Sequence, residues 1–372
     1  MFLVLALAGS AYLLLAGEAT RRFLRAKQAP VIRRQGPPVT LLKPLHGDEP
    51  QLEGALSSFL GQDYPGEVQM VLGVHDPSDP AAAVAERVRA RHPDREVILV
   101  IAARRAGANG KVSNLIHMAP HARHEVIVVS DSDIEAPPGY LASLVAALEA
   151  PGVGLVTCPY HGVGRAGFWS RLAAMDLTYR FLPSLSVGLA LGLAKPSMGS
   201  TLALRRGTLA RIGGFEGLAD TLADDYALGA AVRGLGLETR TAPVLVAHGC
   251  AEKSLAEVVA HELRWARTIR GIDPAGFAGS ALTHPVAWAL LGAVLTQASP
   301  VALAVLAFTA ACRLWMMRRV EGCAPPVPGA ALLFPLRDVL SLAVFMASFF
   351  VGVVDWRGER FRLDDRGGMA GS

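Results

Sequence analysis

The chain lacks a strong charge of either sign: 36 basic side chains against 32 acidic ones leave a net charge of only +4, too mild to imply nucleic acid as a partner. Charge of either sign is scarce: 18% of the 372 residues are charged while 52% are hydrophobic, which departs from a soluble average. Cysteine is scarce too. Cys158, Cys250, Cys312 and Cys323 form no CxxC pair, and no His stands at zinc spacing from them. They read as buried free thiols, consistent with a reducing compartment for the soluble part.

The missing charge is not spread evenly, and apolar runs occupy 1–17, 281–311 and 330–354. The first has no charged residue before Glu18, so it lacks the basic leading region of a cleaved signal peptide. Arg21, Arg22, Arg25, Lys27, Arg33 and Arg34 follow it instead. The positive-inside rule then makes 1–20 a transmembrane anchor with its N-terminus outside and the following chain cytoplasmic. Residues 281–311 carry no Asp, Glu, Lys or Arg, and Pro285 and Pro300 leave one tilted helix or a hairpin around Ser299-Pro300 open. Arg337 and Asp338 interrupt the third run and are expected near an interface or against protein, since an unpaired charge at mid-bilayer is costly. The whole C-terminal region, 281–355, reads as two or three helices, giving three or four spans with the anchor. Trp356-Arg357-Gly358-Glu359-Arg360 reads as an interfacial stop opening a polar tail at 356–372. The apolar segment 181–195 is too short to span; an interfacial segment and a buried core helix both remain open. Arg171, Arg180 and Lys195 around it would suit an anionic leaflet.

Between these runs, residues 36–275 alternate strand and helix. Val39–Leu45, Val68–Val74, Glu96–Ile101 and Glu125–Ser130 read as strands, with helices at Gln51–Leu60 and Ala81–Arg91. The fourth strand is almost wholly apolar, as a buried parallel strand is. The pattern predicts an α/β domain with a mostly parallel sheet and helices on both sides. Ligands of such sheets bind beyond the carboxyl ends of the strands, and acidic residues stand at those ends. Asp76 follows the second strand, and the triplet Asp131-Ser132-Asp133 follows the fourth. Two carboxylates one residue apart can hold Mg2+ or Mn2+ through oxygen ligands and leave positions free for diphosphate. Lys111 lies in a glycine-rich loop, Gly107-Ala108-Asn109-Gly110-Lys111. Asp224 and Asp225 open a helix, where a cap and a catalytic carboxylate are equal readings. His261 shares one face of a helix over 254–270 with Arg264 and Trp265.

In order and spacing these blocks resemble the ceramide glucosyltransferase-like family, glycosyltransferase family 21, with its GT-A fold. The resemblance runs through LLKPLHGDEP at 41–50, DYP at 63–65, VHDPSDPA at 74–81 and GANGKVSNL at 107–115. It continues in SDSDI at 130–134, ADDY at 223–226, RW at 264–265 and WRGERFRL at 356–363. It implies a multi-pass membrane enzyme that takes a nucleotide-sugar donor, a UDP-sugar, and a lipid acceptor from the bilayer. It implies Asp225 as the base, Asp131 and Asp133 as ligands of Mg2+ or Mn2+, and donor contacts from Asp76, Lys111, Asp131, His261, Arg264 and Trp265. Within the family the chain is similar to the bacterial hopanoid-biosynthesis branch. That implies the inner membrane of a bacterium, UDP-GlcNAc as donor and bacteriohopanetetrol as acceptor. Ceramide or another lipid with UDP-glucose is the alternative, and a non-catalytic sugar-nucleotide-binding scaffold is the alternative from another class. A processive polysaccharide synthase shares the acidic motifs but generally needs more membrane helices. Two positions depart from the family pattern: His261 stands where Gln or Arg is usual, and Asp133 where the animal enzymes have glycine.

Overall fold

The computed structural model describes residues 1–26, 36–350, 353–356, 359–363 and 369–371. Lys27, Arg33 and Arg34 of the basic cluster, and Arg357-Gly358 of the expected interfacial stop, lie outside the described residues. The chain divides into two compact units, one made of 27–160 and 195–249, the other of 1–26, 161–194 and 250–372.

The first unit is built on strands β1 (Val39–Pro44), β2 (Val68–Val74), β3 (Glu96–Ile101), β4 (Val126–Val129), β5 (Ile134–Glu135) and β6 (Val153–Thr157). The chain leaves it through β7 (Tyr160–Gly164) and returns with β8 (Leu202–Arg205), β9 (Glu238–Thr241) and β10 (Val246–Cys250). Seven of these form one sheet in the order β3-β2-β1-β4-β8-β6-β9. The left half is parallel throughout, with Val39 level with Val68 on one side and Val126 on the other. Only β8 runs against its two neighbours. Side-chain alternation sends Leu41, Met70, Leu72 and Val128 to one face, against helices Leu52–Leu60, Pro80–Arg91 and Tyr140–Leu148. Leu42, Val71, Ile127 and Val129 go to the other, against helices Gly110–Met118, Arg206–Arg211 and Asp224–Gly234. Both faces are covered, which explains why β1, β2 and β4 are buried along their whole length and read as unbroken apolar runs. The parallel geometry brings the carboxyl ends of β1, β2 and β4 to one edge.

The second unit is helical apart from β7 and its last residues, where Val353–Trp356, Glu359–Leu363 and Met369–Gly371 pair antiparallel. Three helices, Phe2–Arg25, Pro300–Glu321 and Ala330–Ala347, are long and apolar enough to cross a bilayer. The helices at 274–283 and 285–295 add a fourth if that pair, bent by 63°, counts as one span. Of the two readings open for 281–311, the chain takes the broken one: helix Pro285–Leu295 ends, Gln297 and Ala298 adopt positive φ, and Pro300 starts the next helix. Small residues let the first helix approach closely. A Cβ on Gly9 would lie 2.6 Å from Leu282 O, and one on Gly17 would lie 2.8 Å from the Trp315 ring. Ser10 donates to Thr309 Oγ1 at 3.0 Å, and Tyr12 and Ser184 hydroxyls meet at 2.8 Å. The charged pair in the third run faces protein. Arg337 forms a two-pronged bond to Glu262 at 2.8 and 2.6 Å, and Asp338 accepts from Arg313 at 2.6 Å. The segment 181–195 holds a short helix, Leu182–Ala190, with Leu182, Leu185 and Val187 buried, while Leu191 and Leu193 beyond its end are exposed.

Candidate active site

The site lies at the carboxyl edge of the large sheet and is assembled from four loops of the first unit. The loop after β4 carries Asp131, Ser132 and Asp133. Its backbone and side chains are fixed from several sides: Gly249 N donates to Asp133 O at 2.9 Å, and Ser132 Oγ donates to Glu49 at 2.7 Å. Beneath it lies Lys43, the single charged residue of β1 and wholly buried. Burial draws its amine down to about 7, with Asp133, Asp131 and Glu49 acting in the opposite direction.

The glycine-rich loop docks on the segment before helix Asp224–Gly234. Gly107, at φ +121°, brings its backbone against Ala219, where any Cβ would clash at 2.6 Å. Asn109 then does two things. Its Oδ1 caps helix Gly110–Met118 by accepting from Val112 N at 3.1 Å. Its Nδ2 donates to Thr221 O at 2.8 Å and to Asp224 Oδ1 at 3.3 Å. Lys111, one residue into the helix, extends its ammonium to Asp131 Oδ1 at 2.6 Å and Asp224 Oδ2 at 3.5 Å. Burial alone would lower that ammonium, but Asp131, Asp224 and Asp225 outweigh it and hold it above its ordinary value.

Asp225 is held by two backbone amides, Gly199 N to Oδ2 at 2.8 Å and Tyr226 N to Oδ1 at 2.7 Å. Ser197 Oγ donates to its carbonyl at 2.6 Å. Burial pushes its carboxyl up to about 6, with Asp224 adding to the shift and Lys111 opposing it. Asp224 is raised as well, by burial first and by Asp131, against Lys111. Asp225 is thus ionised at neutral pH yet basic enough to take a proton, the balance that general-base catalysis needs.

Of the residues singled out in the sequence, Lys111, Asp131 and Asp225 meet in this cluster. Asp133 lies on the same loop, and Asp76 sits apart in an exposed turn. Asp76 Oδ1 accepts from the Ser78 amide at 2.8 Å and hydroxyl at 2.7 Å, and these bonds hold the carboxyl below its ordinary value. Two contributors went unnoticed in the sequence. His248, on β10, places Nε2 3.4 Å from Asp133 Oδ2, because β10 pairs antiparallel with β5 just beyond the triplet. Gly199 reaches Asp225 from a segment that carries no acidic signal. Neither has a local motif, though a His inside an apolar strand was a signal to follow.

Asp133, His248 and Asp131 are of the donor types that Mn2+ accepts, and Asp133 Oδ1 is buried with no hydrogen-bond partner among the described residues; the three do not gather into a ready ligand cluster, and Asp131 is paired with Lys111. A second cluster at the opposite strand ends, Glu67, Glu96 and His124, is closed by Arg123, whose guanidinium pairs with both carboxylates.

The His261–Trp265 box lies in the second unit on helix Leu255–Ile272. His261 Nδ1 bonds Glu252 at 2.7 Å and its ring meets Trp265 edge-on at 4.5 Å. Glu262, inside the box, is the partner of Arg337 and so serves the helical packing.

The family model of Glycosyl transferase family 21 matches residues 1–369, and the chain belongs to that family. Among curated relatives, a ceramide glucosyltransferase 1 of Caenorhabditis elegans is 26% identical over 212 residues, 56% of this chain and 45% of the relative. A ceramide glucosyltransferase of Candida albicans is 28% identical over 121 residues, 30% of this chain and 22% of the relative. The matches thus span less than half the length of these relatives. Among solved structures, a mannosyltransferase from Pyrobaculum calidifontis in complex with GDP-Man and Mn2+ superposes with a TM-score of 0.51 at 23% identity. That match covers 94% of this chain and 98% of the other, and it shows the shared GT-A-like fold.

Proposed function

We propose, from membership of glycosyl transferase family 21, that this chain is an inverting membrane glycosyltransferase that moves a sugar from a UDP-sugar to a lipid hydroxyl. The observation that carries the reading is the half-buried Asp225 carboxylate, aimed by the Gly199 amide and set beside the Lys111–Asp131 pair. The acceptor oxygen bonds to the anomeric carbon as that carbon's bond to the diphosphate breaks. The hydroxyl proton passes to Asp225, and the electron pair leaves with the diphosphate. Asp131, Asp133 and His248 would hold Mg2+ or Mn2+, which when bound offsets the charge growing on the leaving group. Lys111 would bring its ammonium to the donor phosphates. Donor contacts of Asp76, His261, Arg264 and Trp265 are carried over from the sequence resemblance alone. Arg21, Arg22 and Arg25 at the end of the first helix support a cytoplasmic catalytic unit.

For the substrates we favour UDP-GlcNAc and bacteriohopanetetrol at the inner membrane of a bacterium; the ceramide glucosyltransferase relatives support UDP-glucose and ceramide as the second reading. Incubating the purified full chain in lipid with labelled UDP-sugars and a panel of hopanoid and sphingoid acceptors decides, read by mass spectrometry. N-acetylhexosamine on bacteriohopanetetrol is expected, hexose on ceramide would install the second reading, and no product from any pair would sink both. EDTA should abolish turnover and Mn2+ or Mg2+ restore it; indifference to the chelator would remove the metal from the scheme.

A further inference from the structure

A lysine in the middle of a buried parallel strand is an anomaly that the proposed reaction does not use. Lys43 occupies a core-facing position of β1, on the same side as Leu41 and Leu45, and is fully buried. An apolar residue there would be buried without desolvating an amine, so the lysine calls for another explanation. Its surroundings point to one. Nζ donates to Asp131 O at 2.5 Å, Ser130 Oγ at 3.3 Å and Ile134 O at 3.5 Å, and it lies 3.9 Å above the Phe59 ring. The first and last of those oxygens bracket the triplet Asp131-Ser132-Asp133. The amine therefore ties both ends of the loop to the core, and it contacts no carboxylate oxygen of Asp131 or Asp133 among its hydrogen bonds.

We propose that Lys43 is a positioning residue that fixes, from beneath, the spacing at which Asp131 and Asp133 present their carboxylates to a divalent cation. The inference rests on the metal reading above and adds to it a group that touches neither metal nor substrate. It makes a prediction opposite in sign to simple charge repulsion. Removing a nearby positive charge without moving the loop would tighten cation binding; releasing the loop weakens it.

The test is Mn2+ titration of the detergent-solubilised full chain with UDP present, read by electron paramagnetic resonance. Lys43→Met keeps an unbranched side chain of similar length and removes the ammonium and its donors. Its Mn2+ affinity should fall by about 10–100-fold, the usual cost of losing a group that orients metal ligands, with transfer recovered at high Mn2+. Affinity equal to wild type, or tighter, overturns the proposal. If Lys43→Met does not fold, Ser130→Ala decides. It removes one Nζ partner with little change of volume, and weaker Mn2+ binding supports the proposal whereas unchanged binding overturns it. A wild-type chain that binds no Mn2+ would remove the metal reading and this inference together, whereas wild-type binding with an unaffected variant removes the inference alone.

Discussion

At the residue scale, the proposed chemistry turns on how one carboxylate is kept ready. Desolvation raises the half-buried Asp225 carboxyl to about 6, and two backbone amides define where its oxygens lie. A raised carboxylate pKa means the base is protonated and idle below that value and ionised above it. The expected profile of kcat/KM therefore rises tenfold per unit up to pH about 6 and then levels, as a single ionising base gives. Asp225→Asn should lose about 10²–10⁴-fold in turnover while UDP binding measured by calorimetry stays near wild type. Retained turnover would remove Asp225 from the role of base. Gly199 is the second residue on which the site depends. A Cβ there would lie 2.9 Å from Lys111 Nζ and 3.0 Å from Asp131 Oδ2, and the flexible lysine end is what can yield. Gly199→Ala should therefore leave the melting temperature near wild type and raise the KM for donor; unchanged kinetics would show that the site has slack.

At the element scale, the site depends on two helix starts locked together. Asn109 caps one helix and bonds the segment that begins the other, so a local capping preference also carries tertiary information. Asn109→Ala should cost about 1 kcal/mol as a lost cap, lowering the melting temperature by about 2–4 °C. Because the Asp224 contact goes with it, turnover should drop too, which an isolated cap would not cause. A variant that melts lower but turns over normally would separate the two functions. The strands were legible from their apolar runs because helices bury both faces of the sheet. The antiparallel β8 and the short β5–β10 pair were not, since pairing direction is set by connections and register rather than by composition.

At the scale of the whole molecule, the apolar runs at both ends of the sequence become helices whose outward faces carry Val4, Leu7, Leu15, Val301, Phe308, Leu332 and Val339 exposed. Their polar residues turn inward and pair, Ser10 with Thr309 and Arg313 with Asp338. This is the inside-out arrangement of a helix bundle in lipid. A protease added to spheroplasts should cleave a tag before Met1 and spare residues 36–249; the opposite pattern would reverse the proposed orientation.

The sequence by itself determined the α/β alternation, the apolar spans, the acidic strand ends and the family. Each of these is written in local periodicity or in contiguous strings. It did not determine which of its acids would meet. Asp131 and Asp225 lie far apart in the chain and come to one lysine only because β4 and the helix after residue 223 are placed at the same sheet edge. Gly199 and His248 carried no motif at all, and Lys43 stood in a matching string, 41–50, without a role of its own. An amide, an imidazole and a buried amine acquire a role only from what surrounds them, and those neighbours are chosen by strand order and burial, which no short stretch of sequence spells out.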